Sequence, residues 1–287
     1  MNNLSSISTV HGAISIINAI ATGKGSALGI SLETRAEVVL NSENFIEVII
    51  NNDSQEEPTL ANECFRLVQE KTSQSCGAKI IINSDIPIGS GLKSSSAAAN
   101  AIVLASLKVF GLKLDDQEIL DLSVQASRNS GVTITGALDD AAASFLGGLV
   151  VTDNLSNTIL SRIAVDDDYS ISLHVPEQKN YTKNVDYSNS PEFSDYVDTV
   201  FNMALDGNYL NAMTLNGMIY SEMLKQSNRA AILALKNNAL AAGLSGTGPS
   251  VAAICRPENE SSISDVWSIL GGDIITAKIN NDKGLYN

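Results

Sequence analysis

The 287-residue sequence has few of the residues that build metal centres and disulfide frameworks. It contains 3 Cys and 2 His, and the cysteines, Cys64, Cys76 and Cys255, form no CxxC pair. An odd number of cysteines leaves one unpaired in any disulfide scheme. A structural zinc site, which needs a cluster of Cys or His ligands, is not expected either. We therefore assign His11, His174 and the cysteines to the packing of the protein.

Positive charge is also scarce. The 18 Lys and Arg residues are outnumbered by 32 Asp and Glu, which gives a formal net charge of −14. Such a surface repels nucleic acid and anionic membranes, so we expect neither as a partner. An anionic ligand then needs a local positive site, and the backbone N–H groups at the start of a helix can provide one.

Long apolar runs are missing as well. The N-terminal residues MNNLSSISTV lack the basic start and the apolar stretch of a signal peptide. No segment approaches the roughly 20 apolar residues of a membrane span. Hydrophobic residues nevertheless make up 44% of the chain and charged residues 17%, which excludes a largely disordered protein. We expect a cytoplasmic protein of about two domains.

Strand and helix patterns are mixed along the chain without a regular βα alternation. Apolar, β-branched segments predict strands at 12–20, 35–40, 45–50, 78–83, 148–153, 251–255 and 273–279. Helical periodicity and helix-end residues predict helices at 59–71, 97–111, 115–131, 138–148, 192–206, 208–226, 229–240 and 260–270. Residues 21–29 are Gly-rich and predict a loop. This mixture indicates the α+β class, with a domain boundary near residue 155.

The strongest indication of chemistry lies where the strand at 78–83 leads into a long apolar helix. The glycines of this segment let the backbone approach a phosphate closely, and the helix start offers unpaired N–H groups with a partial positive charge. Its hydroxyls can donate to phosphate oxygens or reach a metal ion, and its lysine adds a formal charge. A serine-capped helix after a turn would have a similar composition, and the spacing is not that of the GxxxxGKS/T loop. The predicted phosphate site comprises Pro87, Ile88, Gly89, Ser90, Gly91, Leu92, Lys93, Ser94, Ser95, Ser96 and Ala97.

The segment IPIGSGLKSSSAAANA resembles the phosphate-binding motif of the GHMP kinases, whose common form is PxxxGLGSSAA. Lys93 takes the place of the usual glycine, and this feature and the triple serine are typical of the archaeal-type shikimate kinase branch. Three further segments occur in the order and approximate spacing of that family. They are GAISIINAIATGKGSALGI, TGALDDAAASFLGGLVVTD and LSGTGPSVAAI.

The resemblance implies a fold, a reaction and two ligands. The fold would be a two-domain GHMP kinase fold, with an N-terminal domain like domain 2 of ribosomal protein S5 at 1–155 and a ferredoxin-like C-terminal domain at 156–287. The reaction would be the ATP- and Mg²⁺-dependent phosphorylation of the shikimate 3-hydroxyl, on the route to chorismate and the aromatic amino acids. A sister kinase for homoserine or mevalonate stays open as an alternative. So does a non-catalytic metabolite-binding protein on the same fold. The oligomeric state is not predicted.

Asp139 and Asp140 begin the Ala-rich helix, where acidic residues favour the positive helix end in any protein. Counted back from Gly147 and Gly148, Asp140 matches the catalytic aspartate of mevalonate kinase-like enzymes. That resemblance implies a carboxylate that accepts the proton of the acceptor hydroxyl or orients it. Asp139 is the neighbouring alternative, because a shift of the helix start by one residue exchanges the pair.

Cationic and metal-binding candidates come partly from the residues and partly from the resemblance. Lys24, in the Gly-flanked stretch with Thr22, is either a solvated lysine or a cation beside the acceptor hydroxyl. Ser95 fits the family's magnesium-binding serine. The position of the family's usual glutamate ligand falls near Arg128, where this sequence has no carboxylate. Two alternatives stay open: Asp139 substitutes for the glutamate, or Mg²⁺ binds mainly to ATP.

The carboxylate of shikimate calls for a cationic partner, for which an Arg fork is best suited. Arg128 and Lys183 are the candidates, although either could equally be an exposed surface cation. Thr22 and Lys24 are predicted as further substrate contacts. The loop at 243–250 is either a structural turn or, by resemblance, a segment that packs beside the phosphate loop and holds it.

Overall fold

The structure, a computed structural model, describes residues 4–50, 57–178 and 185–286. Its strands are β1 (Ser5–Ile17), β2 (Lys24–Asn41), β3 (Ile46–Ile50), β4 (Gly77–Ser84), β5 (Leu149–Asp153), β6 (Thr158–Ile163), β7 (Ser170–Val175), β8 (Ala241–Leu244), β9 (Val251–Cys255), β10 (Asp273–Lys278) and β11 (Leu285–Tyr286). Its α-helices are α1 (Thr59–Gln69), α2 (Ser94–Val109), α3 (Asp116–Asn129), α4 (Leu138–Leu146), α5 (Ser194–Leu205), α6 (Tyr209–Met223), α7 (Arg229–Lys236) and α8 (Glu260–Trp267). Short 3₁₀ helices cover Ser190–Phe193, Pro257–Asn259 and Ser268–Leu270.

The larger sheet has the order β11-β1-β2-β4-β3, and β5 pairs with both β2 and β6. Its pairs are antiparallel except for β3 and β4, which are parallel. The 18-residue strand β2 pairs with β5 over residues 24–28 and with β4 over residues 34–41. One long strand therefore joins both halves of the sheet.

Helix α2 forms the centre of the layer that covers this sheet. Nearly every residue from Ser96 to Leu107 is buried, and the helix contacts β1, β2, α1, α3 and α4. A helix that is apolar on all sides must be enclosed in this way. The Asn100 amide donates to the Ala141 carbonyl at 2.9 Å, which ties α2 to α4. The N-termini of these two helices are thereby held in a fixed relation.

The smaller sheet has the order β10-β7-β9-β8 and is antiparallel throughout. It is joined to the end of β1 by α6. The backbone N–H of Asn18 donates to Asn216 at 3.1 Å, and the Tyr220 hydroxyl donates to the Asn18 carbonyl at 2.7 Å. These buried polar contacts connect the second sheet's helices to the first sheet.

The predicted α+β class is confirmed, but the Gly-rich stretch is not the loop that its composition predicted. Residues 24–29 belong to β2. The glycines of this stretch allow close packing. A Cβ at Gly25 would lie 2.4 Å from Asp139 Oδ2, and one at Gly29 would lie 2.8 Å from the Asn280 carbonyl oxygen. The short strands β6, β7, β8 and β11 were not predicted, and the helix predicted at 229–240 ends at Lys236.

The predicted boundary at residue 155 falls in the turn between β5 and β6, two strands of the larger sheet. The C-terminal strand β11 also returns to this sheet, where it pairs with β1. The division into 1–155 and 156–287 stays a prediction. Within the described residues, no helix combines the length and the apolar character needed to cross a bilayer.

Candidate active site

A cavity of about 430 Å³ lies at the N-termini of α2 and α4. A volume of this order suits a small-molecule ligand. Among the lining residues that the structure describes, Lys93 is the one with a formal positive charge. The lining includes Asn18, Glu57, Ile88, Gly89, Gly91, Lys93, Ser94, Ser95, Ser96, Ser130, Thr133, Thr135, Asp139, Asp140, Gly246 and Thr247.

The loop before α2 is held against the loop that follows β8. Gly91 has a φ of 82°, and a Cβ on it would lie 2.1 Å from the Ser245 carbonyl oxygen, so glycine is required there. The Ser245 hydroxyl donates to the Gly91 carbonyl at 2.9 Å, and the Ser250 N–H donates to the Ser90 carbonyl at 3.2 Å. Residues 243–250 therefore pack beside the predicted phosphate site.

Most of the predicted phosphate site reaches the cavity, and the rest of it supports the loop. Ile88, Gly89, Gly91, Lys93, Ser94, Ser95 and Ser96 line the cavity. By contrast, Leu92 and Ala97 are fully buried in the core. Ser90 is buried too, and its hydroxyl donates to the Pro87 carbonyl at 2.7 Å. The side chains of Pro87, Ser90, Leu92 and Ala97 therefore support the loop and do not line the cavity.

Lys93 and Asp140 form an ion pair at the edge of the cavity. The distance from Lys93 Nζ to Asp140 Oδ1 is 2.8 Å, and the two side chains are 7% and 17% exposed. Lys93 has a φ of 68°, a left-handed conformation that is uncommon for residues other than glycine. The sequence placed both residues in the site but did not predict their contact.

Asp139 lies beside this pair and is almost completely buried. Asn154, which is also buried, donates from Nδ2 to Asp139 Oδ1 at 2.8 Å and accepts from the Thr152 hydroxyl at 2.7 Å. Burial, reinforced by the negative charge of Asp140, raises the pKa of Asp139 to about 7, against the opposing effects of Lys93 and Asn154. Asn154 was missed because a single Asn after a strand carries no local indication of this role.

The raised pKa of Asp139 predicts how stability depends on pH. The folded protein favours the protonated carboxyl, so the free energy of unfolding should fall as pH rises from the ordinary pKa of 3.8 to about 7. Asp139→Asn resembles the protonated form and should remove that part of the decline. Urea unfolding of both proteins across this pH range, without ligands, measures the difference between their free energies of unfolding. This difference should grow in favour of the variant as pH rises and should level off above pH 7. An unchanged difference at every pH would contradict the prediction.

Two predicted site residues lie outside the described lining: Thr22, in the turn before β2, and Lys24, the first residue of β2. The Lys24 ammonium pairs with Asp198 at 2.9 Å, and the two side chains are about two-fifths exposed. The hydroxyl of Thr22 accepts from the Lys24 N–H at 3.2 Å. Successive strand residues point to opposite faces. Because Gly25 faces Asp139, the side chain of Lys24 is directed away from Asp139.

Arg128, one of the two predicted carboxylate-binding cations, is also not among the described lining residues. Arg128 donates from Nη2 to the carbonyl oxygens of Thr135 and Asn154 at 3.2 and 3.4 Å, and its guanidinium packs against Gly136. It therefore holds the loop that precedes α4. Lys183, the other candidate, lies outside the described residues.

The predicted magnesium ion would need oxygen ligands, and residues that carry them line the cavity. These residues are Ser95, Glu57, Asp139 and Asp140, and Mg²⁺ prefers the hard oxygen donors of such side chains. In the described part of the chain, no group of three or more His, Cys, Asp or Glu side chains is placed to hold a metal. This arrangement fits an ion that keeps most of its water and phosphate ligands better than it fits a resident metal centre.

The sequence matches two protein-family models. The GHMP kinases N terminal domain matches residues 59–148, and the GHMP kinases C terminal domain matches residues 207–272. A protein named shikimate kinase from Methanothrix thermoacetophila is 42% identical over 95% of this chain and 93% of its own. Another of that name, from Methanothermobacter thermautotrophicus, is 40% identical over 94% of each chain.

Solved structures with the same fold include two small-molecule kinases. Homoserine kinase from Cytophaga hutchinsonii has a TM-score of 0.81 at 16% identity and covers 100% of this chain and 98% of its own. Methanococcus jannaschii mevalonate kinase has a TM-score of 0.75 at 16% identity, with coverage of 95% and 98%. The family matches, the full-length relatives and the shared fold lead to one conclusion: this chain belongs to the GHMP kinases.

Proposed function

We propose that this protein is a shikimate kinase, which transfers the γ-phosphoryl group of ATP to the 3-hydroxyl of shikimate. A bond forms between that oxygen and the γ-phosphorus, and the bond from phosphorus to the β–γ bridging oxygen breaks. The products are 3-phosphoshikimate and ADP. Support for the acceptor comes from relatives named shikimate kinase that are 37–42% identical over most of this chain.

One observation carries the kinase chemistry: the Asp140 carboxylate and the N-terminus of α2 face the same cavity. The free N–H groups of the first turn, together with the hydroxyls of Ser94, Ser95 and Ser96, would bind the triphosphate. A net charge of −14 does not oppose this binding, because the attraction is local.

Asp140 would receive the proton that the acceptor hydroxyl loses as its oxygen attacks, or orient that hydroxyl for attack. Phosphoryl transfer depends mainly on positioning and charge stabilisation, and both roles satisfy this need. The second aspartate, Asp139, would support the first from its buried place beside Asn154. We do not assign Lys24 to this chemistry, since its ammonium pairs with Asp198.

Ser95 would be the protein's ligand to the Mg²⁺ of the bound nucleotide. When bound, the ion supplies charge neutralisation on the phosphate oxygens. The remaining ligands would be phosphate oxygens and water. Binding of the shikimate carboxylate by Lys183 stays a prediction.

Turnover with three acceptors in parallel tests the proposed function. ADP release would be followed with shikimate, homoserine and mevalonate at equal concentration, with an acceptor-free reaction as the control. We expect shikimate to give the highest kcat/KM and the product to carry phosphate on the 3-oxygen, as read by phosphorus–proton NMR coupling. Turnover with homoserine or mevalonate alone would favour a sister kinase. Nucleotide binding without any turnover would favour a non-catalytic binding protein.

A further inference from the structure

We propose that Lys93 is a catalytic residue whose ammonium group contacts the transferring phosphoryl group while Asp140 holds it in place. The proposal rests on the proposed function and names a residue of the same site. It assigns to Lys93 the part of the chemistry that the sequence pattern had suggested for Lys24.

The backbone at Lys93 is the first reason. Its φ of 68° and ψ of 28° are left-handed, and a residue with a Cβ adopts this conformation at a cost that glycine avoids. The Lys93 side chain makes no capping hydrogen bond to α2, so helix capping does not explain the left-handed conformation. Backbone strain of this kind persists where the surrounding structure enforces it, and it concentrates at functional sites.

The surroundings of the ammonium group are the second reason. The side chain is only 7% exposed, although lysine is seldom buried. A Cβ on Gly246 would lie 3.2 Å from Lys93 Nζ, so the loop after β8 closes around the ammonium and leaves space for it. Asp140 Oδ1, at 2.8 Å, is its carboxylate partner.

Electrostatics give the third reason. A cation at a helix N-terminus adds to the positive end of the helix dipole, which opposes folding unless an anion is present. Asp140 provides one negative charge, but the first-turn N–H groups of α2 remain for another anion. An ammonium and a helix N-terminus that face one cavity form a strong site for the oxygens of a transferring phosphoryl group.

Lys24 does not compete for this role in the structure. Its ammonium pairs with Asp198 at 2.9 Å and lies 5.7 Å from the centre of the Phe201 ring. Among the cavity-lining residues within the described ranges, Lys93 is therefore the available cation. As the β–γ bridging oxygen leaves, its growing negative charge and that of the phosphoryl oxygens would be stabilised by this ammonium.

Variants at Lys93 separate catalysis from ground-state binding. Lys93→Met and Lys93→Gly remove the charge, and Lys93→Gly also suits the left-handed backbone. Thermal unfolding of both variants checks that they are folded at the assay temperature. We expect kcat to fall by about 10²–10³-fold in both variants. The affinity for ADP, measured by calorimetry without acceptor, should change by less than about tenfold. Small primary alkylammonium ions should restore part of the turnover of Lys93→Gly.

Two further variants complete the experiment. Lys283→Met removes another lysine that pairs with a first-turn aspartate, Asp116, and should leave kcat unchanged. Lys24→Met should lower kcat less than Lys93→Met does. A raised KM for ATP with unchanged kcat in both Lys93 variants would overturn the proposal, as would a larger loss of kcat in Lys24→Met.

The assay also distinguishes this proposal from the proposed function. All rates are compared with wild type on the best of shikimate, homoserine and mevalonate. If wild type prefers another alcohol to shikimate, the acceptor assignment fails, and the Lys93 variants still test the ammonium on that alcohol. Near-normal kcat in the Lys93 variants with active wild type removes only the Lys93 proposal. A wild type that phosphorylates none of the alcohols overturns both.

Discussion

Replacing Asp140 with Ala is expected to lower kcat by about 10²–10⁴-fold, the range typical of a positioned acid or base. The carboxylate lies at the cavity edge, 2.8 Å from the Lys93 ammonium. The variant would lose the group proposed to accept the proton or orient the hydroxyl, and with it the partner that holds that ammonium. The affinity for ADP should be equal or higher, because a negative charge is removed from the cavity proposed to bind the nucleotide phosphates. Steady-state kinetics with shikimate and calorimetry with ADP measure the two effects.

Asp116→Ala is the matched control for this experiment. Asp116 also lies in the first turn of a helix and also pairs with a lysine, Lys283, but it belongs to α3 and is exposed. Its removal should leave kcat within about twofold of wild type, since an exposed ion pair contributes little. If Asp140→Ala behaved like this control, Asp140 would have no part in the chemistry.

Gly91→Ala should damage both stability and nucleotide binding. A Cβ there would lie 2.1 Å from the Ser245 carbonyl oxygen, a backbone atom that cannot move cheaply, and the φ of 82° adds conformational strain. We expect a loss of about 2–5 kcal/mol in the free energy of unfolding, the sum of overpacking and left-handed strain. Displacement of the loop should also weaken ADP binding by at least about tenfold, or about 1.4 kcal/mol.

Gly111→Ala separates these two causes. Gly111 has a similar φ of 71°, but no atom of the described residues lies within 4 Å of the position that its Cβ would take. It should show the strain alone, about 1–2 kcal/mol, with ADP binding unchanged. Urea unfolding and calorimetry on both variants give the comparison. Equal losses in the two variants would mean that the contact between residue 91 and the loop after β8 does not matter.

The parts of the site that could be predicted from the sequence are those encoded by contiguous residues. Residues 88–96 carry their glycines and serines in one run at a strand-to-helix junction, so composition and end signals sufficed to locate the cavity wall. Asp140 was selected through the resemblance to mevalonate kinase-like enzymes, counted back from Gly147 and Gly148. In both cases the chemistry and the local structure depend on the same short segment.

Contacts between distant segments were not accessible in this way. The pair between Lys93 and Asp140 depends on how α2 packs against α4, which the Asn100 contact with Ala141 helps to fix. The Gly-rich stretch around Lys24 illustrates the converse error for local structure. Its glycines predicted a loop that faces a ligand, whereas the small residues actually let β2 pack closely against Asp139 and Asn280. Composition records that a residue is small, but not which neighbour needs the space.

A structure of the protein with a non-hydrolysable ATP analogue and shikimate is the most direct test of the whole account. We predict that the triphosphate contacts the backbone of 89–96 at the start of α2, with its terminal phosphoryl group between Lys93 and the shikimate 3-hydroxyl. The Asp140 carboxylate should lie within hydrogen-bond distance of that hydroxyl. A triphosphate bound away from the start of α2, or a 3-hydroxyl directed away from Asp140, would contradict it.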